Sequence, residues 1–334
     1  MIAVPSQVLE ELARAFGVQA AQCIHFSGGR EDSDGVIYRF PYQADYRLMK
    51  IMAIPASEQR EGLFCLEERF RFSRFMGENG ARIVFPQYSP QGRLYEMAAL
   101  GEHVWVAYSM EIIPGKVVSR ETWDSDFFHA WGALVGRLHR LAGQYPSWLS
   151  SVNPQTGAEQ LTWQQEWDFF DQLCKDDEVR AEWQQIRRKL EDLPRDRGSF
   201  GFIHNDPHIF NLQVDNGQIT LLDFDVASHF WFAADIATAC QHILFSQSGG
   251  MEGPLHHPGA LFGFLESFLQ GYRTEHNLAS FWLDTLDLFI AYRRILLYTV
   301  MYGWIQTKPA IHAAWRSMIL THPVLVGKLS ERPG

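Results

Sequence analysis

Strand-like and helix-like patterns divide the chain unevenly. Residues 8–16 carry apolar side chains at helical spacing and stop at Gly17. Short apolar runs follow at 23–26, 36–40 and 46–52, punctuated by Ser27-Gly28-Gly29 and Asp34-Gly35, and each predicts a strand. Residues 57–79 return to helical spacing and close on Asn79-Gly80. Two more strands are predicted at 83–84 and 93–97, around Pro86, Pro90 and Gly92, and a last one at 104–110, ahead of Pro114-Gly115. Beyond that point the period is helical over 123–141, 161–173, 179–193, 259–272, 281–302 and 310–319. The exception is a pair of apolar runs at 212–214 and 219–224. Asp215-Asn216-Gly217 lies between them, and Asn-Gly tolerates the positive φ of a tight hairpin. Strands early and helices late predict an α+β chain. A small lobe, 1–110, would hold an antiparallel sheet, and a larger helical lobe, 111–334, would carry the hairpin.

Chemistry-bearing residues collect at both ends of that hairpin. His204, Asp206 and Asn211 precede it with the spacing H-x-D-x-x-x-x-N, and Asp223-Phe224-Asp225 ends it. One carboxylate in such a loop can orient a hydroxyl and take its proton. An amide oxygen and a second carboxylate can hold the Mg²⁺ that neutralises phosphate charge. Phosphoryl transfer needs this set of groups. Taken singly, each Asp is an ordinary turn residue, so the order and spacing carry the signal.

Residues 204–211 resemble the H-G-D-x-H-x-x-N loop of the aminoglycoside phosphotransferase family, which also covers choline kinase and the type II homoserine kinases. His208, and Asp225 where protein kinases have Gly, favour that branch. The resemblance extends from Cys23 to Trp304. It implies a two-lobed protein-kinase-like fold that uses ATP and Mg²⁺. It makes Asp206 the catalytic base and His204 the brace of its loop. It makes Asn211 and Asp223 the metal ligands, with Asp225 a further metal or acceptor contact. Lys50 would bind the phosphates; it sits between Met49 and Ile51, so strand alternation sends its side chain to one face. A helix glutamate would hold that lysine. Glu67 and Glu68 both qualify, and Glu68 is preferred because Phe64, Phe72 and Met76 lie beside it along the helix. The Gly28-Gly29 turn would cover the phosphates with backbone N–H groups, although Glu31, Asp32 and Asp34 nearby would repel them. Backbone near Met110 to Ile112 would meet the adenine. Gly136-Arg137-Leu138-His139 and Asp235-Ile236-Ala237 are similar to helices of the same family; His139 reads as a helix-face histidine and Asp235 as an N-cap supporting the loop. Asn205, Pro207 and Ile209-Phe210 depart from the family's usual Gly, Leu and Pro-Gly. They leave every catalytic group in place and bear on the loop's geometry.

Composition narrows the partners. The 334 residues are 46% apolar and 20% charged, ordinary for a globular chain able to bury a sizeable core. A formal charge of -10 argues against nucleic acid. Cys23, Cys65, Cys174 and Cys240 show no C-x-x-C pairing, which points to reduced thiols rather than disulfides or zinc. His256-His257, with no Cys or Asp close by, makes a poor metal site. The N-terminal stretch lacks a basic region and a long apolar core, and Arg293-Arg294 interrupts the apolar run 286–305. The expectation is therefore a cytoplasmic enzyme, no membrane span, and a small-molecule hydroxyl acceptor. An acidic surface with eleven Trp and twenty-four Phe favours a cationic or polyhydroxylated acceptor. Trp231, Tyr272, Trp282, Tyr292 and Trp304 are candidate lining rings. Two alternatives stay open: a kinase acting on protein Ser or Thr, and a nucleotide-binding regulator without turnover. The short run from Asp225 to Asp235 leaves little room for an activation segment, which counts against the first. The intact Lys50, Asp206, Asn211 and Asp223 count against the second.

Overall fold

The computed structural model describes residues 3–29, 35–118, 123–146, 163–247 and 258–329. Two compact units form: Met1–Gly115 with Leu222–Asp225, and Lys116–Leu221 with Val226–Gly334. The acids expected at 31, 32 and 34 and the histidine pair at 256–257 lie outside the described residues.

In the first unit, α1 (Ser6–Ala15) precedes β1 (Ile24–Gly28), β2 (Val36–Tyr42) and β3 (Asp45–Pro55). Then come α2 (Gln59–Glu78), β4 (Glu96–Leu100) and β5 (His103–Glu111). The strands pair antiparallel in the order β1-β2-β3-β5-β4. Alternation gives the sheet two apolar faces. Phe40, Met49, Ile51, Trp105 and Ala107 pack with Val8, Leu12 and Phe16 of α1. Val104, Val106 and Tyr108 pack with Leu66 and Phe70 of α2. Lys50 and Tyr108 face each other in the β3–β5 register. Both therefore project on the α2 side.

The second unit begins with β6 (Lys116–Val117), α3 (Ser125–Ala142), α4 (Trp163–Leu173) and α5 (Asp177–Glu191). A strand-rich stretch follows: β7 (Phe200–Ile203), β8 (Leu212–Asp215), β9 (Gln218–Leu221) and β10 (Ser228–Trp231). It closes with α6 (Phe232–Gln247), α7 (Pro258–Arg273), α8 (Ser280–Leu283), α9 (Leu286–Val300), α10 (Tyr302–Ile305) and α11 (Pro309–Thr321). The β8–β9 hairpin pairs Asp215 with Gln218, so its loop is Asn216-Gly217. Both residues have positive φ, 49° and 76°, as a tight two-residue turn requires. Helices α3 and α7 touch backbone to backbone: a Cβ on Gly132 would lie 1.8 Å from the Phe268 carbonyl oxygen. Among the described residues, no helix is long and apolar enough to cross a membrane.

Several sequence expectations need correction. No strand spans 83–84, and the strand expected at 93–97 begins at Glu96 and runs to Leu100. Pro86 and Pro90 cannot donate to a ladder, and Arg93 is turned to Glu96 in an ion pair. The helix expected over 281–302 is three pieces. It breaks where the Thr285 hydroxyl donates to the Trp282 carbonyl at 2.7 Å, competing with helical continuation. Asp235 is no N-cap, because α6 starts three residues earlier, at Phe232. His139, expected on a helix face, lies on the buried face of α3. Strands β7 and β10, which pair with each other, carried no local signal strong enough to predict.

Candidate active site

In the first unit, β3 and the segment that follows β9 bring three charges together. Lys50 forms ion pairs with Asp225 and, at 3.6 Å, with Asp223. The Tyr108 hydroxyl donates to the other Asp225 oxygen at 3.1 Å. The lysine is buried, as a strand-interior cation must be when paired. Asp223 is 44% exposed and takes φ 62°, a left-handed conformation that Asp tolerates better than most residues. Phe224 between them is buried and lies 6.0 Å from the Phe72 ring of α2, which pins the two flanking carboxylates. Glu68 is buried on α2, whereas Glu67 pairs with Arg71 at 2.6 Å.

The glycine turn and the end of β5 complete this unit. Gly28 and Gly29 have φ near 80°. A Cβ on Gly28 would meet the Gly35 carbonyl oxygen at 2.2 Å, so the position admits only glycine. The Gly29 N–H donates to that same carbonyl at 3.0 Å, which closes the turn. Met110 is half-buried opposite Leu48, and Ile112 lies exposed just past β5.

In the second unit, the loop after β7 is held from within and from below. The Asp206 N–H donates to Nδ1 of His204 at 3.2 Å, and the Asn211 amide donates to the Asp206 carbonyl at 3.0 Å. That leaves the Asn211 side-chain oxygen as the atom suited to a cation. Beneath lies a fully buried network. The Asp235 carboxylate accepts from the backbone N–H of His204 at 3.2 Å and of Asn205 at 2.8 Å. It also meets Nε2 of His139 at 3.2 Å, while His139 Nδ1 lies 2.7 Å from the Tyr272 hydroxyl. Both contacts are satisfied if Nε2 carries the proton and the tyrosine donates to Nδ1. Burial pushes the Tyr272 hydroxyl well up, which keeps it a donor. Sequence reasoning placed Tyr272 and His139 in other roles; no local pattern reports a bond across 133 residues.

Asn205 explains its own departure from the family's Gly. Its φ is 69°, the region glycine enters freely and Asn enters with less strain than most side chains. Its amide tethers the loop to the Val226 carbonyl and the Ser228 hydroxyl. The aromatic candidates fare differently. Trp231, Tyr272, Trp282 and Tyr292 are buried core, and Trp304 is partly exposed with Lys308 over its ring.

Sequence reasoning gave Arg293 no catalytic-loop role. It pairs with one Asp206 oxygen, while His208 Nε2 lies 3.4 Å from the other. The available signal was two arginines inside an apolar helix, which have to find partners.

Asp223 and Asp225 share the single ammonium of Lys50, so one negative charge is left over there. Carboxylate oxygens are hard donors, of the kind that divalent cations such as Mg²⁺ take. Among the described residues no group of three or more His, Cys, Asp or Glu could hold a metal alone.

A lysine paired with two carboxylates and a braced loop aspartate define a kinase-like phosphotransferase. The chain belongs to the phosphotransferase enzyme family, whose pattern matches residues 66–278, and it is a small-molecule phosphotransferase with the ATP use that goes with that family. It is 26% identical over 305 residues to the amicoumacin kinase of Bacillus subtilis (strain 168), spanning 89% of this chain and 84% of that one. Among solved structures, an amicoumacin kinase in complex with AMP-PNP, Ca²⁺ and Ami superposes with a TM-score of 0.80 at 21% identity, covering 95% of this chain and 93% of the other. A microcompartment-associated aminopropanol kinase gives 0.69 at 16% identity over 94% of each chain. These likenesses establish the two-lobed kinase-like fold.

Proposed function

We propose that Asp206 is the base that accepts the proton of an acceptor hydroxyl as the ATP γ-phosphoryl group is transferred in line. The observation that carries this is the bracing of Asp206: backbone and side-chain bonds from His204, Asn211 and, through its neighbours, Asp235 fix it on a rigid loop. Such positioning is most of what phosphoryl transfer asks of a protein. Lys50 exchanges its carboxylate partners for nucleotide phosphates, with Gly28 and Gly29 shaping the turn above them. Glu68 is the nearby helix acid that supports the lysine, and backbone at Met110 and Ile112 receives the adenine. Asn211, Asp223 and Asp225 are the residues that would hold Mg²⁺, which when bound neutralises the charge of the transferred group.

The acceptor is a small hydroxyl compound, and the acidic overall charge supports one that carries a cation or many hydroxyls. Amicoumacin is the first to test, because the relative named for it aligns over most of the chain. The cytoplasm, where ATP is available, is the proposed location. The test is ADP release with amicoumacin, aminopropanol, spectinomycin, choline and casein, followed by mass spectrometry for a phosphorylated product. A product with at least one small acceptor supports the reading. ADP release with casein alone, or with none of them, refutes it.

A further inference from the structure

We propose that Arg293 selects the acceptor: it reads an oxygen function, such as a carbonyl, amide or carboxylate, on the carbon next to the reacting hydroxyl, and it excludes an ammonium group from that carbon. This deepens the reading of Asp206 as base and rests on it.

Three observations carry the inference. First, among the described residues Arg293 donates to Asp206 and, at 3.4 Å, to the Asn205 carbonyl, two bonds for a group with five N–H donors. Its side chain is 12% exposed, so part of it reaches solvent beside the base. A guanidinium presents those donors in a fixed plane and stays charged at every working pH.

Second, the Arg293 cation cancels the Asp206 anion. The reacting carboxylate is thus no longer a net negative spot that would draw an amine. The chain as a whole carries a formal charge of -10, but at this spot the two charges offset. A cationic acceptor therefore has to carry its charge at a distance from the hydroxyl.

Third, the neighbouring wall is neutral and polar. His208 and His242 lie with ring centroids 5.7 Å apart. Nδ1 of His208 and Nε2 of His242 are buried with no hydrogen-bond partner among the described residues. Burial pushes the His242 imidazole down to about 3, and a neutral imidazole offers one donor and one acceptor. Phe210, 65% exposed, stands edge-on to the His242 ring at 4.8 Å. One cation, two imidazoles with unsatisfied ring nitrogens and an exposed ring suit a hydroxyl flanked by carbonyl-type oxygen.

The test uses three probes that share a secondary hydroxyl and differ only beside it: lactamide, lactate and 1-amino-2-propanol. Their affinities for the full chain with Mg²⁺ and AMP-PNP are read by saturation-transfer NMR. Lactamide and lactate should bind at least about tenfold more tightly than the amine, the size of one charge-assisted hydrogen bond. Arg293→Gln should level the three. Arg293→Lys should keep the lactate preference, which needs only charge, and lose most of the lactamide preference, which needs the fork. The wild-type order is decisive even if a variant does not fold. Equal or tighter binding of the amine, an unchanged order in a folded Arg293→Gln, or no binding of any probe overturns the proposal. ATP turnover and its loss in Asp206→Asn test the base assignment separately, so a flat order with turnover intact removes only the role of Arg293.

Discussion

Replacing Asp235 with Asn tests whether the loop is held from below. The substitution keeps shape and removes one acceptor oxygen. In the native network three donors reach two oxygens: Oδ2 takes the His204 N–H and His139 Nε2, and Oδ1 takes the Asn205 N–H. Either orientation of the new amide turns its NH₂ toward at least one of these donors. Each buried donor left unpaired costs about 1–3 kcal/mol. The remaining bonds weaken because they lose the charge, and the N-terminal turn of α6 no longer has an anion to stabilise. Removing a buried carboxylate also relieves its desolvation, which offsets part of the loss. The net should be about 2–4 kcal/mol, or a Tm lower by roughly 4–8 °C in a chain of this size. Asp206 stands one residue beyond Asn205, so kcat should fall at least about tenfold while AMP-PNP binds as before. Differential scanning calorimetry, urea unfolding and steady-state kinetics read the three quantities. A variant within about 0.5 kcal/mol of wild type and with full kcat would show that Asp235 does not hold the loop.

Asp206→Asn should cut kcat by orders of magnitude with nucleotide affinity nearly unchanged; turnover within a few-fold of wild type would dismiss Asp206 as the base. Asn211→Ala and Asp223→Ala should each raise the Mg²⁺ concentration for half-maximal rate, Asp223→Ala more because it also removes a charge, and an unchanged Mg²⁺ dependence in both would remove them as ligands. Burial lowers the folded pKa of His229 to about 4 from the usual 6.5, so its contribution to stability is complete above pH 6.5 and is lost as pH falls toward 4. Relative to His229→Gln, the wild type should lose on the order of 2 kcal/mol of unfolding free energy across that window, and parallel pH curves would refute it. Asn205→Gly should keep kcat within a few-fold and cost about 1–2 kcal/mol, because the positive φ is tolerated while two side-chain tethers are lost; a collapse of kcat would mean the amide itself acts on substrate.

What the sequence made legible was what is local. The β8–β9 hairpin follows from Asn216-Gly217, and the facing of Lys50 follows from its place between Met49 and Ile51. The family was legible because its most telling pattern, residues 204–211, is packed into eight positions. The helix beginning near Asp235 was visible too, but its start was misplaced, and with it the reason Asp235 matters. An N-cap acts on its own helix. Asp235 instead reaches out of α6 to N–H groups about 30 residues back along the chain.

Some misses were local, such as the helix break at Thr285, but the missed contacts around the site share one physical character: each is a pairing between separate elements of the chain. Tyr272 meets His139, Arg293 meets Asp206, and β10 closes on β7. None leaves a periodic trace, because each depends on where whole elements are set down. Composition speaks only for the whole chain, not for the surroundings of one side chain. A charge of -10 is a property of the whole chain, whereas the groups beside Asp206 are the Arg293 guanidinium and the His208 imidazole. At 4 Å and an effective dielectric near 20, one adjacent charge is worth about 4 kcal/mol. Charges more than a Debye length away across solvent are largely screened. If Asp206 is the base, as proposed, the local cation should outweigh the global balance in deciding what can sit next to the reacting hydroxyl, and equal binding of lactate and 1-amino-2-propanol would refute that ordering.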